Sequence, residues 1–309
     1  MTRRQRLFAA VRGEAVDRVP YALWQHSTVH ERTAERFTCF TLDYFRKYEP
    51  DLVKVMYDQQ YDMPVSRHFI GDLRDWRLLE EYEPHTGGFG RQLESLARIR
   101  EEAGPEVPVV QTIYSPFHLA HKVAGRRILE DWRRDPAAVR QGLDSIAANL
   151  RAFAACCLRE AGVDGFFFAP IGCEASYMDE AQYVEMIRPA DLAVLGALRE
   201  APLLILHIHG ERQVMFGLLS RYPCDVISWE DRVAGPPLAE ARRLTPRCLM
   251  GGVDHLAARS LPAEQVVRQG REAVAQAGER GFILAPGCTF PADTPEANLR
   301  ALQQAVESA

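Results

Sequence analysis

Two histidines one residue apart, His207 and His209, close the apolar stretch "LILHIHGE", and a lone cysteine, Cys288, ends a second such stretch, "FILAPGC". On an extended chain, residues i and i+2 point to one face, so both imidazoles can aim the same way. Two imidazole nitrogens and one thiolate are a sensible ligand set for zinc. Three protein ligands leave a fourth position open, which is the arrangement of a catalytic zinc rather than a structural one. The bland alternative is a hydrogen-bonded pair of structural histidines, and H-x-H alone does not decide between them. What the chemistry needs is a fold that brings Cys288 to the histidines.

Eight short apolar segments run along the chain: "VPYALW" (19–24), "DLVKVMYD" (51–58), "VPVVQTIYS" (107–115), "GFFFAP" (165–170), "PLLILHIHG" (202–210), "DVISWED" (225–231), "PRCLMGG" (246–252) and "GFILAPGC" (281–288). Helical periodicity fills most of the gaps, as in 136–162, where Val139, Leu143, Ile146, Leu150, Phe153 and Cys157 recur at steps of three and four. Asp135-Pro136 and Asp293-Thr294-Pro295-Glu296 carry helix-start chemistry. Continuous apolar strands alternating with helices are what a parallel sheet buried on both faces requires. The economical architecture is an α/β (β/α)8 TIM barrel, one domain over 1–309. Its surplus length would lie in an N-terminal helix near 2–12 and an insertion at 59–106. An open doubly wound sheet is the competitor, but no G-x-G-x-x-G follows the first segment.

Such barrels build their active sites at the C-terminal ends of the strands. Those positions hold Trp24 to His26, Asp58, Ser115 to His118, Cys173 and Glu174, His207 and His209, Glu230 and Asp231, Asp254 and His255, and Cys288. From them we take His207, His209 and Cys288 as metal ligands, Asp58 and Glu230 as catalytic carboxylates, and Gln25, His26, Ser115, His118 and Cys173 as substrate contacts. Glu230 and Asp231 in "SWEDR" have three readings: a fourth ligand, an acceptor for an imidazole N–H, or a surface ion pair with Arg232.

The formal charge of -5, with only the short basic run "TRRQR", argues against a nucleic-acid partner. No apolar run approaches 18 residues and the start is charged, so neither membrane span nor secretory signal is expected, and the cytoplasm is the expected location. Seven cysteines, an odd number without framework spacing, are expected to be reduced.

The segments "RQRLFAAVRGEAVDRVP", "DLVKVMYD", "YSPFHLAHKVAG", "LHIHG", "DVISWEDR" and "APGCTFPADTPEANLRAL" together resemble the uroporphyrinogen decarboxylase superfamily, within it the zinc-dependent methylcobamide:thiol (coenzyme M) methyltransferases. The resemblance implies a (β/α)8 barrel. Decarboxylases of the superfamily carry an Arg-Gln-Ala-Gly-Arg segment and a late Gly-His-Gly; here "LWQHSTVHER" and "PGCTF" stand instead, although Asp58 matches their catalytic aspartate. The tyrosine that partners that aspartate is replaced by Lys122 or His121. The methyltransferase branch implies zinc on His207 and Cys288, with His209 where that branch has cysteine. An imidazole for a thiolate makes the site one unit more positive, so a bound thiolate is a poorer nucleophile and the metal a stronger Lewis acid. The resemblance further implies a small-molecule acceptor, a methyl-corrinoid donor carried on a partner protein, and no membrane; a homodimer is the expected assembly. A decarboxylase of a tetrapyrrole or other acid, and a barrel that binds a corrinoid without turnover, are the alternatives.

Overall fold

The computed structural model describes residues 1–29, 33–59, 61–63 and 69–307. Its centre is one sheet of seven parallel strands in chain order: Val53–Val55 (β1), Val109–Tyr114 (β2), Gly165–Ala169 (β3), Leu203–Ile208 (β4), Val226–Trp229 (β5), Cys248–Val253 (β6) and Phe282–Pro286 (β7). Every strand residue is buried. Helices cover the sheet, which is why these segments read as unbroken apolar runs rather than alternating ones.

Seven of the eight expected strands are therefore present, and the first is the correction. Residues 19–24 are buried and meet β7 only through isolated parallel bridges, Tyr21 to Leu284 and, just beyond, Gln25 to Phe290. On the other side Asp51 N donates to Tyr21 O, two residues before β1 begins. The reason lies in the donors. Pro20 has no N–H, and Tyr21 N donates to the Asp51 carboxylate at 2.9 Å, so this segment cannot complete a ladder. His207 thus stands on the fourth regular strand and Cys288 beyond the seventh, not the fifth and eighth.

The N-terminal helix spans Arg3–Val11, and Thr2 with Gln5 forms a capping box at its start. Pro136–Arg159 is helical from an Asp135 cap. The expected insertion at 59–106 is in part the ordinary crossover: a 3-10 turn at Leu73–Leu78 and a helix at Gly87–Ala103 connect β1 to β2.

Three aspartates tie the rim where the strands begin. Asp51 takes Tyr21 N, Asp164 takes Val109 N at 2.8 Å, and Asp225 takes Leu204 N at 2.8 Å, each carboxylate satisfying a donor of the neighbouring segment. Asp51, fully buried, also receives Arg6 at 2.6 Å and Arg18 at 2.7 Å. The opening motif "RQRLFAAVRGEAVDRVP" therefore works as a fastener for the N-terminal helix. The opposite rim is left for chemistry.

Candidate metal centre

His207 is the penultimate residue of β4, and the β4–β5 register sets it beside Ser228. Its Nδ1 lies 3.1 Å from Ser228 Oγ and its ring stacks on Phe167 at 5.1 Å, which fixes the imidazole and leaves Nε2 for the centre. His209 follows just past the strand. Cys288 sits in the turn after β7, where Gly287 N donates to Val253 O. A Cβ at Gly287 would come within 3.0 Å of Glu230 Cα, so the glycine lets this turn press against the end of β5.

One ligand atom from each of His207, His209 and Cys288 lies within 4.8 Å of the other two. Cys288 Sγ is 3.5 Å from His209 Nδ1. Glu230 is buried at 1% exposure, with Oε1 3.4 Å from His209 Nδ1 and Oε2 3.9 Å from His255 Nε2. Neither oxygen has a hydrogen-bond partner, so the 3.4 Å contact is an ion-pair distance without hydrogen-bond geometry. A buried carboxylate with both oxygens unmet is costly unless a cation completes it. The donor set and this orphaned acid together fit a zinc ion. The neighbouring Asp231 is spent elsewhere: it accepts Gly252 N at 2.8 Å, and burial pushes its carboxyl up to about 6. Arg232 binds the Gly252 and Gln269 carbonyls and pairs with Glu272, which disposes of the expected partnership with Glu230.

The electrostatics point the same way. Partial burial opposes a charge on His209, yet Cys288 and Glu230 outweigh it and push this imidazole up to about 10. Positive charge is therefore favoured between the thiol and the acid, where a metal cation would bind. His207, by contrast, is held well below its ordinary range by burial and by the neighbouring His209, so it is the neutral imidazole a metal needs.

Beside the centre lies a cavity of about 210 Å³, reached by His207, His209, Cys288, His118, His26, Lys54 and Lys122. His118 Nδ1 is 3.2 Å from Ala169 O, so the assigned tautomer donates there and leaves Nε2 as acceptor; burial and then Lys122 keep the ring neutral. Lys54 is a site residue that the sequence reading did not single out. It is 7% exposed on β1, with its ammonium 4.2 Å from the Phe167 ring centre and 4.9 Å from that of Trp24. Burial lowers it to about 7, against the opposing pull of Cys288 and Asp58. A lysine inside a strand gives no local signal of such a position. Of Lys122 and His121, Lys122 lines the cavity, its ammonium 3.9 Å from the Tyr114 ring centre.

Asp58 stands behind the cavity wall, accepting Ser27 N at 2.8 Å and meeting His26 Nδ1 at 2.6 Å. Three expected substrate contacts do not reach the cavity. Gln25 donates its amide to Pro291 O at 2.7 Å. Ser115 caps the helix Pro116–Ala124 through His118 N, and the fully buried Cys173 donates to His209 O at 3.0 Å. Cys173 thereby supports the His209 backbone from behind. A further cluster, His85, Cys156 and Glu160, lies at the surface, where His85 and Glu160 already pair at 2.8 Å.

With this sheet and this centre in view, family membership follows from comparison of the whole chain. The uroporphyrinogen decarboxylase (URO-D) family profile matches residues 53–309, and the chain belongs to that family. Among its relatives are two proteins named methylcobamide:CoM methyltransferase MtbA, each matched over 254 residues, 81% of this chain and 73% of the relative. The one from Methanosarcina acetivorans is 23% identical and the one from Methanosarcina mazei 25%. A solved structure described as a methyltransferase from Methanosarcina mazei superposes with a TM-score of 0.83 at 19% identity, covering 99% of this chain and 98% of that one. The likeness establishes the shared fold. No helix among the described residues is long and apolar enough to cross a membrane.

Proposed function

We propose that this chain is a zinc-dependent methyltransferase that moves a methyl group between a methyl-corrinoid, carried on a partner protein, and a small thiol. The carrying observation is the convergence of His207, His209 and Cys288 beside the buried, unpartnered Glu230. The methyltransferase names of its relatives support the reaction class. In this reading the fold is a (β/α)8 barrel of one domain in which residues 20–25 stand in for the eighth strand, working in the cytoplasm.

When bound, zinc supplies the Lewis acidity that holds an acceptor's sulfur as a thiolate at neutral pH. The chain's own residues do the rest. His118 offers a neutral nitrogen that accepts a hydrogen bond from the entering thiol. Lys122 gives the cavity a positive charge, joined by Lys54 when that amine is protonated, which suits an acceptor carrying an acid group. Phe167 and Trp24 restrict water at the inner side, and His26, oriented by Asp58, stands at the mouth, where the corrinoid would approach. About 210 Å³ admits a small acceptor but lies below the roughly 300 Å³ at which pockets for larger ligands begin, so the corrinoid's bulk stays outside.

The test is zinc analysis of protein purified without added metal, combined with loss of methylcobalamin absorbance in the presence of coenzyme M or 2-mercaptoethanol. Zinc near one equivalent or more and thiol-dependent demethylation are expected. Metal-free protein that demethylates at the same rate would overturn the reading.

A further inference from the structure

Glu230 spreads its two oxygens toward different histidines: Oε1 toward His209 at 3.4 Å, Oε2 toward His255 at 3.9 Å. His255 follows β6, is 5% exposed, and has a buried Nδ1 without a hydrogen-bond partner. Glu230, His255 and Cys288 form a second group whose ligand atoms lie within 4.8 Å of one another, and it shares Cys288 with the first. Five donors thus fall into two overlapping groups that share Cys288, with Glu230 facing a histidine of each.

From this arrangement we propose a second divalent-metal position, held by Glu230 Oε2, His255 and Cys288, so that the thiolate and the carboxylate bridge two ions. The inference rests on the zinc site proposed above and extends it. A carboxylate that serves one ion and accepts one imidazole N–H needs only one bound cation. Here both oxygens are buried without a hydrogen-bond partner, and each faces a different imidazole, Oε2 the Nε2 of His255. A bridging carboxylate would meet both orphaned Glu230 oxygens at once, and two-metal sites hold their ions roughly 3.5–4 Å apart. The ligand types are mixed N, S and O, which suits zinc or cobalt over magnesium or calcium. Two dications against one thiolate and one carboxylate leave about two positive charges, so an anion from solvent or substrate completes the pair.

The experiment strips metal with a chelator, titrates zinc or cobalt(II) back into the full chain, and counts bound metal after gel filtration. It uses wild type, His255→Ala, His207→Ala and, to remove the surface cluster, His85→Ala. Expected are about two equivalents in wild type and in His85→Ala, and about one in His255→Ala. Cobalt-loaded wild type should show magnetic coupling between its two ions, a readout that needs no variant to fold. Saturation of wild type at one equivalent that His255→Ala retains and His207→Ala loses would overturn the bridge while leaving the first site standing. Two equivalents that fall to one only in His85→Ala would overturn it as well. No metal in wild type would remove both sites.

Discussion

At the residue scale, His209 is where the chain departs from the His-x-Cys of the methyltransferases it resembles. If it is a ligand, His209→Ala should weaken zinc binding severalfold or more, because two protein ligands of the first site remain. His209→Cys should bind zinc at least as well and raise the nucleophilicity of a bound thiol. A histidine that merely packs predicts an alanine variant with full metal and a lower thermal midpoint, so zinc stoichiometry and melting on the same samples separate the two. Residue type and spacing singled out His207, His209 and Cys288 as candidates before any fold was known, and the fold brings a ligand atom of each within 4.8 Å of the others. Glu230 was legible as a carboxylate in the right place, but its unpartnered oxygens were not, because satisfaction is a property of neighbours. Lys54 was hidden for the same reason: its burial against Phe167 and Trp24 depends on strands distant in sequence.

At the scale of elements, the buried Asp191 joins two helices and a loop. Set on the helix Arg188–Leu198, it accepts Tyr183 OH at 2.9 Å from the preceding helix Glu180–Met186 and Tyr222 OH at 3.2 Å. Burial raises its carboxyl from 3.8 to about 7, which the two tyrosine hydroxyls only partly oppose. The folded state therefore holds this proton more tightly than the unfolded chain. Its stabilising share is full below about pH 4 and is lost as pH rises through about 7. Asp191→Asn should abolish that loss, narrowing the gap between melting temperatures at pH 5 and pH 8 relative to wild type; an unchanged gap would assign the pH dependence to other groups. Strands were the legible elements because double burial writes itself as apolar runs. The helix Gly87–Ala103 was not, since "TGGFG" places three glycines at its start and reads as loop.

For the whole molecule, substrate size and charge set the limits. The arginine segment of the decarboxylases is missing, and a cavity of about 210 Å³ has no room for a porphyrinogen. Turnover of uroporphyrinogen should be undetectable beside a decarboxylase control, measured as coproporphyrinogen formed; efficient conversion would reverse the preference for methyl transfer. The rim open for chemistry was foreseeable in outline, but the aspartates that fasten the other rim and the irregular seam at residues 20–25 were not. That seam carries a consequence in time. Tyr21 bridges Leu284, so a segment must wait for a partner made more than 250 residues later (284 − 21 = 263). Pairings this distant in sequence form slowly, because the closure entropy falls due before the contact repays it. On the ribosome the apolar run from Tyr21 to Trp24 therefore lacks its β7-side partner until β7 emerges, an interval of about 10–50 s at typical synthesis rates of roughly 5–20 residues per second. The step that brings Cys288 to the histidines is thus the same late step that gives Tyr21 its partner in β7.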